Sequence, residues 1–391
     1  MNPSTAGWIK KLLSFKELDQ SAIQVPLSQF YFALRSCGFI YGSNLMLVNS
    51  LLKDDDLTDE ERCKINLILA FLVAHHENRS VDDFASSLLS FYKAINEYKI
   101  SLFDDILGEK DANKALEKVI HKRIQIDDNI ISKSFNYFIT NALLFLDVLA
   151  YKDYLKHNSI SKENLRNYEA KIETIVVKTL SSKQQKSEYD QSLLKLFESS
   201  MRFQDHQPLS YQDAIGRVKN EEEAQYLLDI ACMSTWGDRD IDDNERYFLS
   251  TLGKDLNLKS KGVDESIAAV NAFFSKHKKD IALLSSKNVV KSFYDNSSLM
   301  VSKLISRNKK RLHKEIRESK DVVRLLSQST VRDLTAEEQK QLQSQLLDIF
   351  KTIPSLAIFM LPGGMLLLPL VVKFIPKLLP SAFDDNRIED D

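Results

Sequence analysis

Four acidic side chains, Asp238, Asp240, Asp242 and Glu245, fall within the stretch W-G-D-R-D-I-D-D-N-E. Oxygen-rich clusters of this kind suit hard divalent cations. A calcium loop starting at Asp238 would put Asp240 and Asp242 at its third and fifth positions. It would then need glycine at the sixth and glutamate at the twelfth, where this chain has Asp243 and Leu249, so an EF-hand is excluded. Two readings stay open: loose divalent-cation binding by the four carboxylates, or an acidic cap on the next helix, where negative charge meets the positive end of the helix dipole. His75-His76-Glu77 lacks the H-E-x-x-H spacing of a zinc protease. The two imidazoles are expected at a helix C-terminus, where the dipole favours their charged form. No G-x-S-x-G, phosphate-binding glycine loop or C-x-x-C occurs. The expectation is a non-enzyme with no cofactor beyond that divalent cation.

The second chemical feature is basic. Between Lys303 and Arg324, nine lysines and arginines face only Glu315, Glu318 and Asp321. The segment reads as a solvated helix, as a contact for anionic lipid headgroups, or as a contact for ribosomal RNA phosphates. Arg307, Lys309, Lys310, Arg311, Lys314 and Arg317 are the candidate contacts. No aromatic side chain is interleaved after Tyr294, which argues against stacking on single-stranded RNA. The whole chain carries a formal net charge of −2, so there is no global field for nucleic acid and DNA is not an expected partner.

Residues 352–372 form an apolar run with no charged side chain, and Lys373 and Lys377 follow it. As a helix the run would rise about 32 Å, against a hydrocarbon core of about 30 Å. Pro354, Pro362, Pro369 and Pro376 recur every seven or eight residues, and Gly363-Gly364 follows the second of them. Each proline removes a backbone donor; membrane helices tolerate this where a neighbour satisfies the freed carbonyls. The segment is therefore a kinked span, a re-entrant hairpin, or a pair of helices buried in a soluble core.

The elements that must carry these features are helical. Hydrophobic residues make up 43% of 391 and charged residues 28%, with ten glycines and eight prolines, which suits long helices joined by short connections. Apolar positions recur at three- and four-residue intervals, as in residues 63–75 and 135–151. Thr58-Asp59-Glu60-Glu61 has capping-box spacing, and Ser161 opens another helix. Trp8, Ile9, Leu12 and Leu13 oppose Lys10 and Lys11, a pattern for a membrane surface or for docking on the body. Cys37, Cys63 and Cys232 are too dispersed for metal spacing and read as free thiols in a reducing compartment. The N-terminus has no secretory pattern.

The expected organisation is an amphipathic helix at 1–20, helical domains at 21–133 and 134–288, a basic helix at 289–330 and a membrane segment with an acidic tail at 331–391. The fold class is all-α, a multi-helical soluble body followed by a proline-rich, membrane-associated helical segment.

Residues 227–258 resemble the TerB-like helical domains, in which an acidic turn precedes a helix bearing a glutamate. Asp238, Asp240, Ile241 and Glu245 take the matching places, with Arg239 where glycine is usual. The segment L-D-V-L-A at 146–150 echoes L-D-I-A at 228–231. From Lys320 onward the chain resembles the leucine-zipper and EF-hand-containing transmembrane (LETM1-like) family, through three blocks: D-L-T-A-E-E-Q-K-Q-L at 333–342, D-I-F-K-T-I-P at 348–354, and L-P-L-V-V-K-F-I-P-K-L-L-P-S-A-F at 368–383. That resemblance implies a membrane segment marked by Pro354, Pro362, Gly363, Gly364, Pro369, Lys373, Pro376 and Pro380. It also implies roles in ribosome tethering or cation/proton exchange. The family's coiled coil and EF-hand are missing, and its ribosome-binding region, expected after the membrane segment, is expected to be largely missing too. In outline the chain resembles a bacterial group named for biofilm association. The expectation is a membrane-anchored scaffold at the bacterial inner membrane with its body in the cytoplasm. Its expected partners are the lipid bilayer and ribosomes or envelope proteins, with no expectation for oligomeric state.

Overall fold

The computed structural model describes residues 2–15, 23–49, 52, 57–78, 83–96, 111–124, 141–183, 209–235, 241–277, 301–302, 304–332, 334–353, 356, 371–372 and 374–375. Among them there is helix and no strand, as the periodicity predicts. The body comprises α1 (Trp8–Leu13), α2 (Leu27–Ser36), α3 (Asp59–Glu77), α4 (Phe84–Asn96), α5 (Ala112–Ile124), α6 (Phe145–His157), α7 (Lys162–Ser182), α8 (Tyr211–Gly216), α9 (Glu221–Thr235), α10 (Asp243–Asp255) and α11 (Ser260–His277). Then follow α12 (Lys309–Glu318), α13 (Lys320–Val331) and α14 (Ala336–Lys351).

Two helices run through the middle of the body because they are apolar almost all round, and such helices must be enclosed. Helix α3 is buried from Cys63 to His75 and packs against α2, α5 and α6; α9 packs against α2, α7, α10 and α11. Buried hydrophobic side chains from Trp8 to Phe274 form one cluster. It includes residues on both sides of the 133/134 boundary, which itself lies outside the described residues. A second cluster runs from Val301 to Ile375 and joins α12, α13 and α14 with residues on either side of them.

Local signals explain the helix ends. The Thr58 hydroxyl accepts from the Glu61 N–H while the Glu61 carboxylate accepts from the Thr58 N–H, closing the capping box. Ser161 accepts from the Asn164 N–H. Helix α2 ends in a left-handed turn at Gly38, with φ +90. There the Phe39 N–H reaches the Leu34 carbonyl at 3.0 Å and the Gly38 N–H reaches that of Arg35 at 3.1 Å, the Schellman pattern that satisfies a helix's last carbonyls. A Cβ at Gly38 would lie 2.0 Å from the Ser43 carbonyl oxygen and 2.4 Å from the Phe273 ring. Gly38→Ala is expected to cost about 3 kcal/mol or more, seen as a lower urea midpoint.

The N-terminal helix is docked, one of its two sequence readings. Trp8, Ile9 and Leu12 are buried, and Glu117 of α5 accepts from the Gly7 and Ile9 N–H groups at 2.9 and 3.0 Å. That carboxylate satisfies the orphan donors of a helix whose preceding glycine has no capping side chain.

The echo between 146–150 and 228–231 has a structural counterpart. Asp147 on α6 and Asp229 on α9 are both fully buried, and each faces an arginine and a tyrosine from other helices. Asp147 accepts from Arg123 Nε at 2.6 Å and from the Tyr92 hydroxyl at 3.4 Å. Asp229 accepts from the Tyr31 hydroxyl at 2.6 Å and from Arg35 at 3.4 Å. Burial pushes the Asp229 carboxyl above its ordinary pKa, against the pull of Arg35 and Tyr31.

Candidate anion-contact surface

Helix α12 buries only Leu312 and Ile316, four residues apart on one stripe. The rest of its surface follows from that stripe: Lys309, Lys310, Arg311, Lys314 and Arg317 are all exposed. Helix α13 buries Val322, Val323, Leu325 and Leu326 and leaves Lys320 and Arg324 exposed. Since α12 packs on both α13 and α14, these cations sit on a folded unit rather than on a lone solvated helix. Seven basic side chains between 309 and 324 face three acidic ones. Of these acids, Asp321 lies 3.7 Å from Arg324.

Helix α14 opens with a capping box between Thr335 and Glu338. Arg332 donates two hydrogen bonds to the Glu338 carboxylate, at 2.8 and 2.7 Å, and holds its pKa down at about 2. This fork joins the end of α13 to the start of α14.

Arg307 differs from its neighbours. It lies just ahead of α12, its side chain is only 15% exposed, and it donates to Glu61 of α3, which is 2% exposed. The Ser4 hydroxyl donates to the same carboxylate at 2.5 Å. Expected in the contact row, Arg307 is instead committed to the body. Burial alone would raise the Glu61 pKa, but the Arg307 hydrogen bond and charge outweigh it and the net shift is downward. A depressed carboxylate pKa stabilises the fold above its ordinary value of 4.5. That contribution is lost as pH falls through the lower folded value. The stability difference between wild type and Arg307→Gln, from chemical unfolding, is therefore expected to be full at pH 7 and to shrink steadily in acid.

In the acidic turn, Asp238 and Asp240 lie outside the described residues. Asp242 is the N-cap of α10 and forms a capping box with Glu245, whose carboxylate also lies 3.4 Å from the buried Lys183 ammonium. The two described carboxylates thus act in the cap. Among the described residues no group of three or more histidine, cysteine, aspartate or glutamate side chains could hold a metal. Both histidines lie in the last turn of α3 as expected, but of the two only His76 is exposed; His75 is buried, its Nδ1 lies 3.0 Å from the Tyr151 hydroxyl, and its ring stacks on that of Tyr151. All three cysteines are buried, and burial pushes the Cys37 thiol up to about 12.

Pro354, Pro362, Gly363, Gly364, Pro369, Lys373, Pro376 and Pro380 lie outside the described residues. Among the described residues no helix is long and apolar enough to cross a membrane, so the expected spanning helix is not among the observed elements. Ile353, Leu356, Val371 and Ile375 are buried in the second cluster with Leu346 and Phe350.

Against known proteins, residues 334–391 match the family described as LETM1-like, RBD. The C-terminus is thus a LETM1-like unit whose first helix is α14. A stretch of 55 residues is 44% identical to the mitochondrial proton/calcium exchanger protein of Drosophila melanogaster, covering 14% of this chain and 5% of that one. A similar stretch is 42% identical over 55 residues to the mitochondrial LETM1 domain-containing protein mdm28 of Schizosaccharomyces pombe, covering 14% of this chain and 12% of that one. The chain therefore matches only a small part of either relative's length. No solved structure matches. The family match places the proline-rich run within an RBD-type region rather than ahead of it, which corrects the expected order.

Proposed function

We propose that this protein is a non-enzymatic docking scaffold that contacts ribosomal RNA phosphates through the basic face of α12 and α13, the two helices packed ahead of its LETM1-like C-terminus. The observation that carries this reading is the exposed cationic row on a unit that shares one hydrophobic cluster with α14, where the family match begins. Phosphate binding needs no catalytic geometry. It needs exposed lysines and arginines on a rigid platform. The apolar run at 352–372 holds the unit at the inner face of a bacterial cytoplasmic membrane, with the body in the cytoplasm. Residues 134–288 form a TerB-like helical domain, a reading that rests on the acidic turn with Glu245 at the start of α10, and the chain groups with the biofilm-associated proteins it resembles in outline.

Cation/proton exchange is the weaker reading, because 352–372 carries no carboxylate and coupled ion sites in membranes usually keep one. Alkaline carbonate washing of membranes tests the anchoring, comparing the full chain with one ending at Gln328. Retention of the full chain alone is expected; release of both would overturn the anchor.

A further inference from the structure

Among the described residues, a buried polar contact crosses between the body and the unit formed by α12, α13 and α14. Each of the two hydrophobic clusters is separate, and no closely packed helix pair among the described elements joins α12, α13 or α14 to α1–α11. Arg307 makes that contact with Glu61, 246 residues away in sequence, and Ser4 donates to the same carboxylate. Arg307 stands two residues before Lys309, at the head of the exposed row. A buried carboxylate of the body therefore occupies the arginine just ahead of the exposed row.

We propose that Glu61 is an internal competitor that masks Arg307, so that a phosphate-rich ligand and the body contend for the head of the basic row. This inference rests on the docking reading above and adds its regulation. Release of Arg307 adds one more cation to the row, and affinity for a polyanion rises with each phosphate neutralised. A polyanion must then favour the released form, and by linkage release must strengthen its binding.

Glu61→Gln isolates this contact, because glutamine keeps the capping box with Thr58 while removing the charge that holds Arg307. The probe is a short RNA duplex, titrated against the full chain at several salt concentrations. Glu61→Gln is expected to bind several-fold more tightly than wild type, with a salt slope steeper by about one. Adding Arg307→Gln to Glu61→Gln should return both to the wild-type values. The same variant should separate dyes placed at Lys114→Cys on α5 and Lys340→Cys on α14, both exposed positions; the buried native thiols leave these two sites to react.

Equal or weaker RNA binding by Glu61→Gln overturns the masking, even where Lys309→Gln, Lys310→Gln and Arg311→Gln together still abolish binding and so uphold the basic row. RNA binding that ignores the triple substitution removes the docking reading and the masking with it. An unchanged dye separation would show that other contacts hold the unit, and would also overturn the proposal.

Discussion

Replacing Lys309, Lys310 and Arg311 together by glutamine is expected to weaken ribosome co-sedimentation by about 100-fold at physiological salt. The three side chains are exposed at the start of α12, and the hydrophobic contacts of this helix come from Leu312 and Ile316. Their removal should leave the fold intact. Each cation near a dense array of phosphates contributes on the order of 1 kcal/mol, so three give roughly a hundredfold loss. The slope of log affinity against log salt should fall by about three, one for each lost phosphate contact. The same substitutions on exposed Lys254, Lys259 and Lys261 of the body serve as the control and should change little. Pelleting of the triple variant at wild-type levels across the salt range would place the contact elsewhere.

Arg123→Ala should destabilise the body by about 3–5 kcal/mol, a large share of the 5–15 kcal/mol typical of a domain. The Asp147 carboxylate has no exposed surface, and Arg123 donates to it at 2.6 Å. With Arg123 gone, a buried carboxylate loses the cation that offsets its desolvation. Replacing both members, Arg123→Met with Asp147→Leu, should recover much of the loss, because the cost lies in the stranded charge rather than in the missing pair. Urea unfolding followed by circular dichroism checks both variants. A single-variant loss below about 1 kcal/mol would mean that the site relaxes or admits water.

The features that could be read from sequence were those written in neighbouring residues. Thr58 with Glu61 and Asp242 with Glu245 lie three apart, so their caps follow from one turn of helix. The stripe of Leu312 and Ile316 likewise fixes which face of α12 is charged. The sequence also carried the blocks at 348–354 and 368–383, which fall within the LETM1-like match, and that at 333–342, which overlaps its start. What could not be read depends on which helices meet. His75 looked like a terminal cap because its position on α3 is terminal, yet packing of α6 against α3 brings Tyr151 over it. The echo of Asp147 and Asp229 was visible, but their arginine partners were not, since Arg123 and Arg35 come from other helices. Arg307 resembled every other cation in its row. Only its contact with Glu61, made by chain folding across 246 residues, sets it apart.

Hydrogen exchange of the full chain with and without purified ribosomes reports where a partner sits without presuming which side chains matter. Docking through the basic row should add protection in peptides covering 309–324, with α10 and α11 of the body unchanged. Protection confined to the body, or none in 309–324 under conditions where the protein pellets with ribosomes, would contradict it.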